Sequence, residues 1–233
     1  MRFSGQDTDS SMTRFGFKFG GLRAGFTLIE MLAVILIIGI LSAVLLTQLG
    51  GTSTAAKVQQ TRQQLTLLGA AIENYEMDGH GEYPPSRFSD KSGVSNDGSN
   101  VGMEALVVAL WSEGYEAGGL LDTEADRLQN TDGDSSSRGL TDFDSRGLFE
   151  IVDAWENPIA YFNRRDYDSG GGNYLTFDPV TGGELESVAK PLKNSTTGRF
   201  YNAGTFQMIS AGPDGLFGTE DDVTSFNRRL EDE

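Results

Sequence analysis

The stretch Gly25-Phe26-Thr27-Leu28-Ile29-Glu30, continued by MLAVILIIGILSAVLL at 31–46, decides how this chain is read. Phe26 to Leu46 is 21 residues, which as an α-helix is about 31 Å long and matches a hydrocarbon core of about 30 Å. No later run of this length is free of charge, so one membrane crossing is expected, followed by one domain of ordinary size. Glu30 interrupts the start of the run. An ionised group at the bilayer centre costs about 2.5–3.5 kcal/mol on insertion scales and less near the headgroups, so it calls for a partner or a task. Two readings follow: a first-turn carboxylate tolerated by the helix dipole at the interface, or a charge met by something outside the segment. A secretory signal peptide has a shorter apolar core and a small-residue cleavage site.

Charge fixes the orientation. Before Phe26 lie Arg2, Arg14, Lys18 and Arg23 against Asp7 and Asp9, a net of +2 that stays cytoplasmic. After Gly25 there are 14 basic against 32 acidic residues, a net of −18, so the body is expected outside the cytoplasm and should repel phosphate backbones. Nucleic acid is excluded as a partner on that ground. Crowded carboxylates repel one another unless cations neutralise them, which makes Ca²⁺ a candidate. The absence of cysteine removes disulfides, thiolate catalysis and cysteine-ligated zinc. His80, the single histidine, cannot form a two-histidine metal site and reads as a solvated loop residue.

Gly25 followed by Phe26, Thr27, Leu28, Ile29, Glu30 and the apolar run resembles the class III signal of type IV pilins and type II secretion pseudopilins. The resemblance implies that a prepilin peptidase cuts after Gly25 and methylates the new amino terminus at Phe26. It also implies that Glu30 pairs, in a fibre, with the Phe26 amine of a neighbouring subunit, so that docking neutralises two charges in low dielectric. Residues 1–25 are then a leader that is cleaved off. The leader is long for the family, and translation from Met12 is expected, giving MTRFGFKFGGLRAG.

Beyond the assembly helix at 26–48, a stalk is expected over 49–83. Val58, Leu65, Leu68, Ile72 and Tyr75 lie on one face of a 3.6-residue period, with Gln59, Arg62, Gln63 and Glu73 elsewhere. Gly79, Gly81, Pro84 and Pro85 should end it. Gly50 and Gly51 each weaken a helix by about 1 kcal/mol relative to alanine, so this point is expected to kink, or to melt on packing into a fibre.

Residues 84–150 read as a variable region. It holds a short amphipathic helix at 102–114 that buries Met103, Leu106, Val107, Leu110 and Trp111, and an expanded loop at about 118–146. Within the loop, NTDGDSSSRGLTD places Asn130, Asp132 and Asp134 at alternate positions in the manner of an EF-hand. Ser135 stands where glycine is needed and Thr141 where a bidentate glutamate is needed, so a solvated polar loop is expected, with a specific second metal site as the lesser alternative.

In the carboxyl-terminal part, 151–233, Asp153-Ala154-Trp155-Glu156-Asn157-Pro158 reads as a turn leading into the strand IAYF, with Trp155 covering the core; FQMIS at 206–210 is a second strand. The turn resembles the Asp-Pro-Trp-Gly-x-Pro-Tyr segment of major pseudopilins, from which Ala154 and Glu156 depart. SAGPDGLFGTEDDV follows, with glycines at 212, 215 and 218 that permit tight turns. It resembles the calcium loop of the same family, here 211–223. The resemblance implies a structural Ca²⁺ held by the Ala211 carbonyl, Asp214, Asp221 and Asp222, with Glu220 a less favoured ligand. Asn194-Ser195-Thr196 has the form of a glycosylation sequon and carries little weight in a bacterial-type exported chain.

The expected fold is α+β and type IV pilin-like: a long amino-terminal helix packed on a small carboxyl-terminal antiparallel sheet with a calcium-binding loop. The expected function is a structural, non-enzymatic subunit of a type II secretion pseudopilus. Such a subunit is a single-pass inner-membrane protein with a periplasmic domain, and its partners are other pseudopilins, prepilin peptidase, the inner-membrane assembly platform and lipid. The alternative is a type IV pilin for adhesion or motility, a class that often carries a carboxyl-terminal disulfide loop, which this cysteine-free chain cannot form. A membrane-tethered enzyme has no support: there is no nucleophile elbow, phosphate loop or zinc spacing.

Overall fold

A computed structural model describes residues 27–89, 94, 98–112 and 127–228, without the side chains at 43–52 and 79. Gly25, Phe26, Met12 and the rest of the leader lie outside the described residues, as does the first part of the expanded loop. Helical backbone is assigned over Leu28–Tyr75 (α1), including Gly50 and Gly51, and the chain divides at Gln48/Leu49 into two compact units.

In the first unit the apolar side chains of α1 from Leu28 to Leu41 are all exposed, from 85% at Leu28 to 44% at Val34. An exposed apolar surface of this extent is of the kind that protein or lipid partners cover. Among the described residues no helix is long and apolar enough to cross a membrane; the described side chains of this run stop at Ser42, whereas its apolar sequence continues to Leu46.

In the second unit α1 has one buried stripe. Leu65, Leu68 and Ile72 are fully buried, flanked by half-buried Val58 and Tyr75, while Gln59, Arg62, Gln63 and Glu73 are exposed. Two polar residues share the stripe because each meets the backbone of the segment packed on it: Gln64 Nε2 donates to the Val152 carbonyl at 2.9 Å, and Thr61 Oγ1 accepts from Ala154 N at 3.3 Å. After Tyr75 the helix widens into a π-helical turn, Glu76–His80, closed by Gly81 in the left-handed conformation. The His80 ring stacks on Tyr75 with 3.9 Å between centroids.

The returning chain is pinned by Tyr161 Oη and Asn163 Nδ2, which both donate to the Pro84 carbonyl, at 2.7 and 2.9 Å. Helix α2, Val101–Leu110, ends four residues earlier than the expected 102–114. It buries Met103, Leu106, Val107 and Leu110, as the pattern required, and also Glu104. Trp111, just beyond its end, is half-buried. Gly102 is required: a Cβ there would stand 2.4 Å from the Tyr161 carbonyl oxygen, so only glycine lets α2 lie this close to the next strand.

Among the described residues the strands are short and antiparallel, and they form three small sheets rather than one. β1, Leu128–Gln129, pairs with β2, Glu150–Ile151. β3, Ala160–Asn163, pairs with β6, Phe206–Ser210, which pairs in turn with β7, Val223–Thr224. β4, Gly172–Phe177, and β5, Glu184–Ala189, make a hairpin that the hydrophobic pattern did not announce. The core joins Leu65, Leu68 and Ile72 of α1 to Met103, Leu106 and Leu110 of α2 and to Ile151, Ile159, Tyr161, Met208 and Ile209. The unit is thus a helix followed by antiparallel sheets, an α+β arrangement.

Candidate functional site

Two places in the chain are marked for function by the sequence, and the first is the start of α1. Thr27 is the residue before the helix and Glu30 its third residue. Glu30 Oε2 accepts from Thr27 N at 2.8 Å and from Thr27 Oγ1 at 2.8 Å, while Glu30 N donates back to Thr27 Oγ1 at 3.3 Å. This is a capping box: two backbone donors that the helix leaves unpaired are satisfied reciprocally. The signal was in the sequence as Thr-x-x-Glu, and the reading of the apolar run passed over it. Both side-chain bonds fall on Oε2, so Oε1 stays open to a further donor. Glu30 therefore has a partner inside its own chain as well as room for one outside it.

The second place is the loop from Ala211 to Asp222, which joins β6 to β7. Its ends are held together by pairing of Ile209 with Thr224 and Ser210 with Val223. Upstream, the turn after β2 is tied to the same strand through Asp153, which is buried. Asp153 Oδ1 accepts from Trp155 N and Asn157 N, at 2.8 and 3.1 Å, and its Oδ2 accepts from Ser210 Oγ at 2.6 Å. Burial pushes the Asp153 carboxyl up to about 6, against the lowering by these three donors. Trp155 is half-buried and packs against the core, covering it as expected, with Lys57 Nζ 5.9 Å from its ring centre. Glu156 holds φ at +69°, a conformation natural to the glycine found there in the resembled segment.

Within the loop, Ala211 is fully buried and Gly212 has φ of +68°. A Cβ at Gly212 would stand 2.4 Å from the Asp221 carbonyl oxygen and 3.6 Å from Asp221 Cγ, so the missing side chain is what brings the Ala211 end of the loop against Asp221. Asp214 Oδ1 accepts from Leu216 N at 2.8 Å, and Asp221 accepts from Thr219 Oγ1. Asp222 turns inward: its side chain is fully buried, and Oδ2 accepts from Arg228 Nη2 at 2.9 Å and from Gly218 N at 3.1 Å. Burial holds the Asp222 carboxyl above its ordinary range, with Arg228 and Gly218 N opposing.

Ala211, Asp214 and Asp221 offer hard oxygen donors on a tightly turned backbone, the donor type that Ca²⁺ accepts. The Gly212 approach fits that use; Asp222 gives Oδ2 to Arg228 and Gly218 N, while its buried Oδ1 has no hydrogen-bond partner among the described residues. Among the described residues, one group of three acidic side chains brings its oxygens within 4.8 Å of one another. It is Glu104, Asp132 and Asp134, not the loop carboxylates. Asp132 and Asp134 are thus half-buried against Glu104, not solvated as the loop composition suggested. Asn194 of the sequon is buried, and its Oδ1 accepts from Thr196 N and Thr197 N at 3.0 and 2.7 Å, a turn-forming role.

Residues 22–46 match the family described as the prokaryotic N-terminal methylation motif. The chain is 26% identical over 204 residues to type II secretion system core protein G of Escherichia coli strain K12, covering 88% of this chain and 91% of that one. It is 36% identical over 56 residues to type II secretion system core protein G of Pseudomonas aeruginosa, covering 24% of this chain and 39% of that one. No solved structure matches the chain.

Proposed function

We propose that the mature chain is a structural subunit of a type II secretion pseudopilus. It polymerises through its apolar amino-terminal helix and helps drive folded proteins across the outer membrane. The observation that carries this reading is the methylation motif heading an apolar helix in a chain similar to core protein G over most of its length. The adhesive or motility pilin is the lesser reading. Both relatives named above are secretion proteins, and a chain without cysteine cannot make the disulfide loop frequent in that class.

In this reading prepilin peptidase cuts after Gly25, Phe26 becomes the methylated terminus, and the 26–46 run crosses the inner membrane once, with the domain in the periplasm. The Glu30 carboxylate keeps its bonds to Thr27 on Oε2 and offers Oε1 to the Phe26 amine of the adjoining subunit. The capping box then pre-orients the carboxylate, since a charge already held on one side loses less freedom when it meets its partner. The exposed apolar surface of α1 packs against equivalent helices and lipid. Melting at Gly50 and Gly51 would accompany that packing, and the helical backbone of the isolated chain is its unassembled form. The test is to co-express the chain with a type II secretion assembly platform and prepilin peptidase. Antibody-labelled fibres whose subunits begin at methylated Phe26 are the expected result; uncut chain in the membrane fraction, with no fibres, would overturn the reading.

Ca²⁺, in the same reading, is held by the Ala211 carbonyl, Asp214 and Asp221. Asp222 supplies backbone oxygen or its side-chain Oδ1, with Oδ2 kept by Arg228. Bound there, the ion would screen carboxylates that otherwise repel. Calcium should raise the melting temperature of the detergent-solubilised chain. Gly212→Ala, which forces a Cβ onto the Asp221 carbonyl, should abolish that rise. No response of the unaltered chain to millimolar calcium would remove the site.

A further inference from the structure

The stretch 211–223 carries Asp214, Glu220, Asp221 and Asp222 and no lysine or arginine. The first basic residue after it is Arg228, and the chain in between is built to bring that residue back. β7 pairs Val223 with Ser210 and Thr224 with Ile209. Ser225 N donates to the Met208 carbonyl at 3.0 Å, and Met208 N donates to Ser225 Oγ at 3.1 Å, so Ser225 is tied to β6 twice. The Phe226 ring then stacks on buried Tyr201, with 4.9 Å between centroids, and the Phe226 carbonyl accepts from Thr224 Oγ1 at 2.7 Å. Residues 223–228 are therefore a strap fixed to the sheet, and that path sets where the Arg228 guanidinium stands.

It stands on the loop. Arg228 Nη2 donates to Asp222 Oδ2 at 2.9 Å, and Nη1 donates to the Thr219 carbonyl at 3.5 Å. The Asp222 side chain has no exposed surface and that of Arg228 is 30% exposed, so solvent screens the pair poorly. Among the described residues it is the one ion pair that a carboxylate of the loop makes. Gly218, with φ of +87°, directs its N–H to the same Oδ2 at 3.1 Å, and Oδ1 is the oxygen left over for a cation.

We propose that Arg228 is the built-in counter-ion of this loop: without calcium its guanidinium neutralises Asp222 and keeps the loop folded, and it thereby sets how much calcium adds. The inference rests on the calcium reading given above. Taking the guanidinium away leaves Asp222 buried, with Gly218 N as its remaining donor and Asp221 beside it, and a buried charge that loses its partner is costly. A divalent cation then supplies the charge that Arg228 supplied, and it meets one positive charge fewer on approach. Both effects run the same way, so calcium should bind more tightly to the chain without the guanidinium and stabilise it more. An ion pair with a purely structural role predicts otherwise: its loss would lower stability equally with and without the ion.

Thermal unfolding of the full chain in detergent, first with a calcium chelator and then across a calcium titration, separates the two. With chelator, Arg228→Gln should melt about 5 °C below the unaltered chain. At saturating calcium less than about half of that deficit should remain, and the calcium concentration at half-maximal shift should be about fivefold lower than for the unaltered chain. Arg228→Lys, which keeps the charge but not the planar fork, should lie closer to the unaltered chain than to Arg228→Gln in both respects. An equal deficit with and without calcium would overturn the counter-ion role while leaving the calcium site standing. A higher half-maximal concentration in Arg228→Gln would overturn it as well, since the arginine would then serve to present Asp222 to the ion. No response to calcium in either chain would remove the site itself, and the inference with it. Should Arg228→Gln be unfolded in both conditions by circular dichroism, Arg228→Lys carries the test: its smaller deficit should also close with calcium, and one that stays open would refute the proposal.

Discussion

Two stretches of α1 are built to opposite ends. From Leu28 to Leu41 its apolar side chains are all exposed, and its sole charge, Glu30, is bound to Thr27 at the head of the helix. From Val58 to Tyr75 a narrow stripe is buried to completion at Leu65, Leu68 and Ile72, and even its polar members, Thr61 and Gln64, meet backbone partners. The second stretch finishes its packing within the chain. The first leaves its apolar side chains exposed, a surface that lipid or other subunits would cover in the proposed fibre. On the proposed function, this difference serves self-assembly.

The comparison can be broken most sharply at Ile35, which is 65% exposed. Ile35→Lys should abolish fibres seen by electron microscopy, because a lysine in the apolar interior of a bundle costs about 2.5–3.5 kcal/mol per subunit. The same change should leave the urea unfolding of the domain within about 0.5 kcal/mol of the unaltered chain. A destabilised domain would mean that the first stretch has partners within the chain. The converse change, Leu68→Ala, should cost the domain about 2–5 kcal/mol in the same measurement, as a cavity opens in the core. A loss below 1 kcal/mol would show the stripe to be loosely packed. The smallest effect is expected at Glu156, whose φ of +69° strains any residue with a Cβ. Glu156→Gly should stabilise the domain by about 1 kcal/mol, and a loss instead would reveal a role for its carboxylate.

Much of this was legible in the sequence because it is local. The stripe on α1 and the buried side of α2 follow from spacing, and the acidic loop at 211–222 follows from glycines and carboxylates within one short segment. What was not legible is what depends on separated segments. Glu104, Asp132 and Asp134 lie up to 30 residues apart, and nothing in the composition around Glu104 announces the other two. The β4–β5 hairpin escaped notice for a different reason: its strands GNYLTF and ELESVA alternate too weakly to mark a face. The acidic loop also warns against reading proximity in sequence as convergence. Asp221 and Asp222 are neighbours, yet one bonds to Thr219 within the loop and the other turns inward to Arg228.

The most direct test of self-assembly through the helix start compares fibres from the unaltered chain, Glu30→Ala and Glu30→Gln by electron microscopy, with the amino terminus of each sequenced. Glu30→Gln keeps an acceptor for Thr27 N but loses the charge, so it separates capping from pairing. The account predicts cleaved chains in all three and fibres in the unaltered chain alone. Intact fibres from Glu30→Gln would contradict it, since capping would then suffice and no charge would be needed to join one subunit to the next.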